Sequence, residues 1–246
     1  MTTRRGRRAV RRLAPLAAAG VTAAVVLGAF GQALPAGAAS RVGAPPRSPR
    51  PVARRTLPPF AWTESPVTAA TVPYTWHPGC PVGPASLRLL HLRYVGFDGR
   101  AYTGTMVVNV SVVTQVVKVF ATLYGERFPI HKMVPEDAFH GSDPASMAAD
   151  NTSGFNCRYA VAPGPPQWSV HAFGEAIDVD PVQNPYLEGG KVQPADGARY
   201  VDRARVRPGM AVPGGELVEA FASVGWYWGG RWTASPDYQH FSSTGG

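Results

Sequence analysis

The chain has 246 residues, 45% of them hydrophobic, enough for one core of ordinary size and too few for two once the ends are discounted. Its formal charge of +8 is unevenly placed. Of the 24 Lys and Arg, eleven precede residue 56, where there is no Asp or Glu, so residues 56–246 carry 13 basic against 16 acidic groups, a net −3. A basic nucleic-acid-binding face on the folded part is thereby excluded, and no nucleic-acid partner is expected.

Taken in chain order, residues 1–38 have the layout of an export signal. Arg4, Arg5, Arg7, Arg8, Arg11 and Arg12 precede an apolar stretch from Leu13 to Phe30, and Ala36-Gly37-Ala38 has the small-x-small pattern of a cleavage site. Cleavage after Ala38 leaves no membrane span and predicts a secreted or cell-wall-associated chain. An uncleaved anchor is the competing reading, and the export route stays open between the general and twin-arginine pathways. Residues 39–59, rich in Pro and Arg, read as a disordered linker, and residues 60–246 as the folded domain. Cys80 and Cys157 are the only cysteines, and an even pair in an exported chain predicts a disulfide.

Within the domain, Leu87–Val95 and Tyr102–Val110 flank Gly96-Phe97-Asp98-Gly99, which predicts a β-hairpin. Val112, Val113, Val116, Val117, Phe120 and Leu123 recur at helical spacing, with Asn109 or Ser111 to cap the start and Gly125 at the end. Asp143–Ala149 suggests a turn or two of helix inside a polar loop. Leu217–Val224 predicts a further helix, stopped by Gly225 before an aromatic strand at Trp226-Tyr227-Trp228. Strands and helices mix without βαβ alternation, so the class is α+β, a single domain with a small, mostly antiparallel sheet and flanking helices.

The chemistry concentrates between about 150 and 241. Trp168–Asp180 holds His171, Asp178 and Asp180 among small residues, and His240 follows at a distance. Two imidazoles and a carboxylate make a competent ligand set for a catalytic zinc, which needs three protein donors and one open position. A His seven residues before an Asp is also what a satisfied surface or core pair looks like. On a strand, Asp178 and Asp180 would face the same way, so either could be the ligand.

The pattern Ser169-x-His171-x-x-Gly174-x-Ala176-x-Asp178, followed by Asp237-x-x-His240, resembles the signature of the M15 family of zinc peptidases. That family contains D-alanyl-D-alanine carboxypeptidases and L-alanyl-D-glutamate endopeptidases of bacterial cell walls. The resemblance implies the M15 fold, Zn²⁺ as cofactor, a peptidoglycan stem peptide as substrate and His171, Asp178 and His240 as ligands. It further implies Asp237 as general base and Arg158 as the group facing the substrate carbonyl, with a surface salt bridge as the alternative for Arg158. Two departures stand out: Asp237 where many relatives have Glu, and Asp180 where Asn is expected. Ser169, Tyr186 and Trp228 are candidate substrate contacts, though aromatic residues on a strand beside a helix also serve as core. A bridge from Cys80 to Cys157 would hold the Arg158 segment against a separate part of the chain. Carboxypeptidase action is the leading expectation for a monomer, with endopeptidase action, or a catalytically weak envelope-binding module of the same fold, as alternatives.

Overall fold

The computed structural model describes residues 56–161 and 165–245, so the predicted signal and most of the predicted linker lie outside the described residues. The described residues all belong to one compact unit. Its chain order is β1 (Trp62–Pro66), β2 (Leu87–Val95), β3 (Ala101–Asn109), α1 (Val113–Glu126), β4 (Lys132–Met133), α2 (Asp143–Ala148), β5 (Asn151–Thr152), β6 (Ala176–Asp178), β7 (Tyr186–Glu188), β8 (Lys191–Gln193), α3 (Glu216–Ala222), β9 (Tyr227–Trp228) and β10 (His240–Ser242). No described helix is long and apolar enough to cross a membrane.

The predicted hairpin is β2–β3, with nine paired positions from Leu87↔Asn109 to Val95↔Ala101. Period-two alternation divides its side chains between two faces. Leu90, Leu92, Tyr94, Met106 and Val108 enter the main core with α1, α3 and Phe241, whereas Leu87 and Val107 face a smaller cluster with Val67, Val72, Phe155 and Cys157. The sheet is therefore covered on both sides, by helices on one and by the 67–82 segment on the other. The Cys80–Cys157 disulfide joins that segment to the chain entering the site. Strand β1 adds an edge to β2. Its sequence, Trp-Thr-Glu-Ser-Pro, is exposed along nearly its whole length and shows no apolar alternation.

A 3₁₀ turn, Val110–Val112, leads into helix α1 and is capped by Asn109, whose side chain accepts the Ser111 amide. Its predicted stop at Gly125 is displaced. The helix closes at Arg127 in the left-handed region (φ 62°), where the Arg127 amide reaches Leu123 O and Tyr124 O. Buried Tyr124 still packs as helix, and its hydroxyl donates to Pro58 O at 2.6 Å, while Arg93 holds Pro59 O. The end of the predicted linker is thus held against the domain.

The pairing is antiparallel throughout except for β4–β5, but it forms four small sheets instead of one. Near the site the strands are two or three residues long and separated by 3₁₀ turns and prolines, which leaves too few consecutive extended residues for the sheets to merge. The piece that matters for function is β6–β10–β9. In it His240 and Asp178 are direct cross-strand partners.

Candidate active site

Three elements bring the site together. His171 sits in a 3₁₀ turn, Val170–Phe173, whose first amides are met by Ser169: its Oγ accepts the His171 N–H at 3.3 Å. The turn closes on Gly174 at φ 70°, where an added Cβ would lie 2.7 Å from Asn109 N, so only glycine fits there. Strand β6 carries Asp178, and β10 carries His240.

The donor atoms converge. His171 Nε2 lies 3.2 Å from His240 Nδ1 and 3.3 Å from Asp178 Oδ2, and His240 Nδ1 lies 3.3 Å from Asp178 Oδ1. All three residues are at most 6% exposed. His171 Nδ1 is 2.7 Å from Gly154 O and must donate to it, which leaves Nε2 as a lone pair directed at the cluster. Neutral His171, ionised Asp178 and the Nδ1 lone pair of His240 would therefore aim three acceptors at one small volume, an arrangement that demands a positive charge. One donor atom from each residue lies within 4.8 Å of the others, and the contacts of 3.2–3.3 Å, with His171 on one Asp178 oxygen and His240 on the other, are near the roughly 3.3 Å between neighbouring ligands of a tetrahedral site. The donor set fits a divalent ion such as zinc.

In the protein alone, a proton fills that role. Burial pushes the His171 imidazolium down, but the charge and hydrogen bond of Asp178 override it and carry the group to about 9. Burial likewise opposes ionisation of Asp178, yet His171 and His240 hold it well below the usual carboxylate range. Burial lowers His240, and Asp178 recovers only part of that. Its Nε2 is buried and has no hydrogen-bond partner among the described residues.

Asp237 lies three residues before His240 in a loop pinned by Asp237 N–H···O Gly229 at 3.1 Å and by the Leu187 amide on Pro236 O at 2.9 Å. Burial first, and then the charge of Asp178, push its carboxyl well above the ordinary range, against the pull of His171 and Arg158. Its Oδ1 is enclosed and unpartnered. A cation at the cluster would reverse the sign of the nearest field and return the group to its ionised form.

These residues line a cleft of about 980 Å³ together with Arg158, Tyr186, Glu188 and Trp232. Arg158 reaches Asp143 Oδ2 at 2.9 Å while its Nε stays buried and unpartnered. The ion pair and the cleft-facing position are thus both present. Tyr186, half-buried on β7, is on the cleft wall. Ser169 is also there, but it is 7% exposed and its hydroxyl is committed to the His171 amide, which makes it a positioning group. A serine-nucleophile arrangement is absent from these residues, because both His171 nitrogens are engaged elsewhere.

Trp228 does not line this cleft and stands instead on the wall of a smaller neighbouring cavity. It is 6% exposed, gives its Nε1–H to Tyr238 O at 2.9 Å and packs on Phe241. Strand alternation turns it into the core, and Trp232, with its ring 5.3 Å from that of His240, takes the cleft position. Asp180 is also resolved. Its φ of 42° ends the strand, so it does not share the face of Asp178. Its Oδ1 accepts from His131 N and Thr152 Oγ1 instead, at 3.0 and 3.1 Å.

Several site residues had no sequence signal. Asp143 holds Arg158 from α2. Gln239 donates Nε2 to Asp178 Oδ2 at 3.4 Å, and its place between Asp237 and His240 was the one available hint. Glu136, 1% exposed behind His171, accepts from Ser153 Oγ and Asn156 Nδ2, and burial, with Asp143 adding to it, raises it to about 7.

A buried two-histidine, one-carboxylate cluster beside a second carboxylate and a guanidinium is a donor set compatible with a hydrolytic metal site. Residues 163–243 match the family model Peptidase_M15_4, described as D-alanyl-D-alanine carboxypeptidase, a stretch that contains His171, Asp178, Asp237 and His240 and begins after Arg158. The match supports the chain as an M15 family peptidase. A search of curated proteins and one of solved structures returned no match.

Proposed function

We propose that the protein is an exported, zinc-dependent peptidase of the M15 fold that hydrolyses an amide bond of peptidoglycan stem peptides, acting as a D-alanyl-D-alanine carboxypeptidase. The observation that carries this reading is the buried convergence of His171 Nε2, the Asp178 carboxylate and His240 Nδ1, with neighbouring contacts of 3.2–3.3 Å. Zinc held by these residues would supply Lewis acidity toward the scissile carbonyl and a water of pKa about 7.

The chain's own groups do the rest. Asp237 takes a proton from the attacking water and returns it to the departing amine, the role general acid–base catalysis assigns to a carboxylate within reach of both. Arg158 donates hydrogen bonds to the oxyanion that develops on the carbonyl oxygen as the carbon becomes tetrahedral, and Asp143 fixes its planar fork. Tyr186 and Trp232 flank the peptide. The Gly154 carbonyl and Gln239 orient His171 and Asp178. An extracellular, cell-wall location follows from the signal-like residues 1–38 and suits such a substrate, as does action as a monomer.

Incubation of the purified protein with defined pentapeptide and tetrapeptide muropeptides, with and without a zinc chelator, tests the proposal by mass spectrometry. Zinc-dependent release of terminal D-alanine is expected. Loss of the stem after its first residue would make the protein an endopeptidase, and no zinc-dependent product would leave only an envelope-binding role.

A further inference from the structure

A second cavity lies beside the cleft. It measures about 270 Å³ and is lined by Val218 and Ala222 of α3 and by Trp226, Tyr227, Arg231 and Trp232, among others. Trp232 belongs to the lining of both spaces, so the cavity stands next to the cleft with that indole between them.

The chemistry of this cavity differs from that of the cleft. Strand alternation at β9 sends Trp228 inward and leaves Tyr227 59% exposed. Trp226 satisfies its indole N–H on Gln115 Oε1 at 3.5 Å, so what it offers the cavity is apolar. Arg231 is exposed and makes no hydrogen bond or ion pair among the described residues. Aromatic surface with a single uncommitted guanidinium suits a ligand with apolar C–H faces and one or two carbonyl or carboxylate oxygens. A purely apolar ligand would leave Arg231 without a role, and a phosphate would call for more than one cation. The space is smaller than the roughly 300–1,000 Å³ of drug-sized pockets, room for one ring.

We propose that this cavity is a saccharide subsite. It takes an N-acetylated amino sugar of the glycan that bears the stem peptide, with Tyr227 and Trp232 supplying ring faces and Arg231 bonding the acetamido or carboxylate oxygen. The identity of the occupant rests on the peptidase reading; sugar binding itself does not, and the two are separable.

Titration of the full-length protein with N,N′,N″-triacetylchitotriose in the presence of chelator, followed by tryptophan fluorescence and calorimetry, reads binding without turnover. Saturable binding with a Kd in the millimolar range is expected, weakened at least fivefold by Arg231→Ala and by Tyr227→Ala and largely retained in Tyr227→Phe. Circular dichroism checks that each variant is folded. In the zinc-loaded protein, kcat/KM for a disaccharide-linked stem peptide over that for the free peptide should fall about fivefold in Arg231→Ala. Absence of saturable sugar binding, or binding indifferent to both alanine variants, overturns the subsite. Sugar binding in a protein that cleaves neither peptide would uphold the subsite and overturn the peptidase reading alone.

Discussion

Replacing Gly154 by alanine tests how tightly the fold sets the site. A Cβ on Gly154 would stand 2.5 Å from Val107 O, a backbone atom of β3 that also accepts the Phe155 amide at 2.8 Å. Neither partner can rotate away, so the two backbones must separate by about 0.5–0.9 Å to restore an ordinary contact, an overpacking strain of about 1–3 kcal/mol. At about 2–4 °C per kcal/mol for a domain of this size, Tm of the chelated protein should drop by about 2–12 °C. The same movement drags the Gly154 carbonyl away from His171 Nδ1, 2.7 Å distant. Loss of such an outer hydrogen bond typically weakens metal affinity about 10–100-fold. Calorimetry without metal and competition with a chromogenic zinc chelator measure the two effects separately. Gly83→Ala, whose methyl meets nothing within 4 Å, is the control. Unchanged Tm and unchanged zinc affinity in Gly154→Ala would refute the reasoning.

Other perturbations separate the roles of neighbouring residues. His240→Ala should lose bound zinc and peptidase activity together, whereas Asp237→Asn should keep zinc, by metal analysis, and lose about 10²–10⁴-fold in kcat; full activity in either contradicts its assignment. Cys80→Ser opens a loop of 77 residues and should lower unfolding stability by about 4 kcal/mol in urea melts, on the chain-entropy model. Glu136 supplies a pH signature: its carboxyl titrates near 7 in the fold, above its ordinary value of 4.5. The folded state holds the proton more tightly than the unfolded state, so the contribution is fully present below about 4.5 and is lost as pH rises through about 7. The stability difference between the wild type and Glu136→Gln should decline across that window, and a difference independent of pH would show that Glu136 does not titrate there.

Much of this structure was legible from pattern alone, wherever one physical period dominated. The β2–β3 hairpin announced itself through alternation around a glycine-bearing turn, and α1 through apolar positions that do become its buried face. The positions of His171, Asp178 and His240 were readable because residue type and spacing were carried by a family resemblance. Strand β1 was not, since an exposed edge strand needs no apolar period. Gly125 misled because a glycine near a helix end is a common stop, while Tyr124 packing carried the helix on to Arg127. Asp180 stayed open as a competitor to Asp178 because strand geometry implies face-sharing, and the positive φ at Asp180 that cancels it has no signal in the sequence. Which tryptophan stands on the cleft was not readable, because Trp228 ends the two-residue strand β9 and Trp232 follows a 3₁₀ turn whose direction no short period encodes. Asp143, Glu136 and Gln239 act through tertiary contacts that no short spacing encodes.

The cross-strand pairing of Asp178 with His240 has a consequence for how such a site can diversify. The residues between them, from 179 to 239, contain β7, β8, α3 and β9, and with these come Tyr186, Glu188 and Trp232 on the cleft and every aromatic residue of the second cavity. The ladder between β6 and β10, not the length of that excursion, sets the distance between the two donors. Hairpins can therefore be lengthened, shortened or exchanged within the excursion while the coordinating atoms keep their spacing, provided that β9 and the Asp237 loop are retained. Reactivity and recognition are thus written into separable parts of the chain, and a lineage could acquire a new substrate through insertions alone.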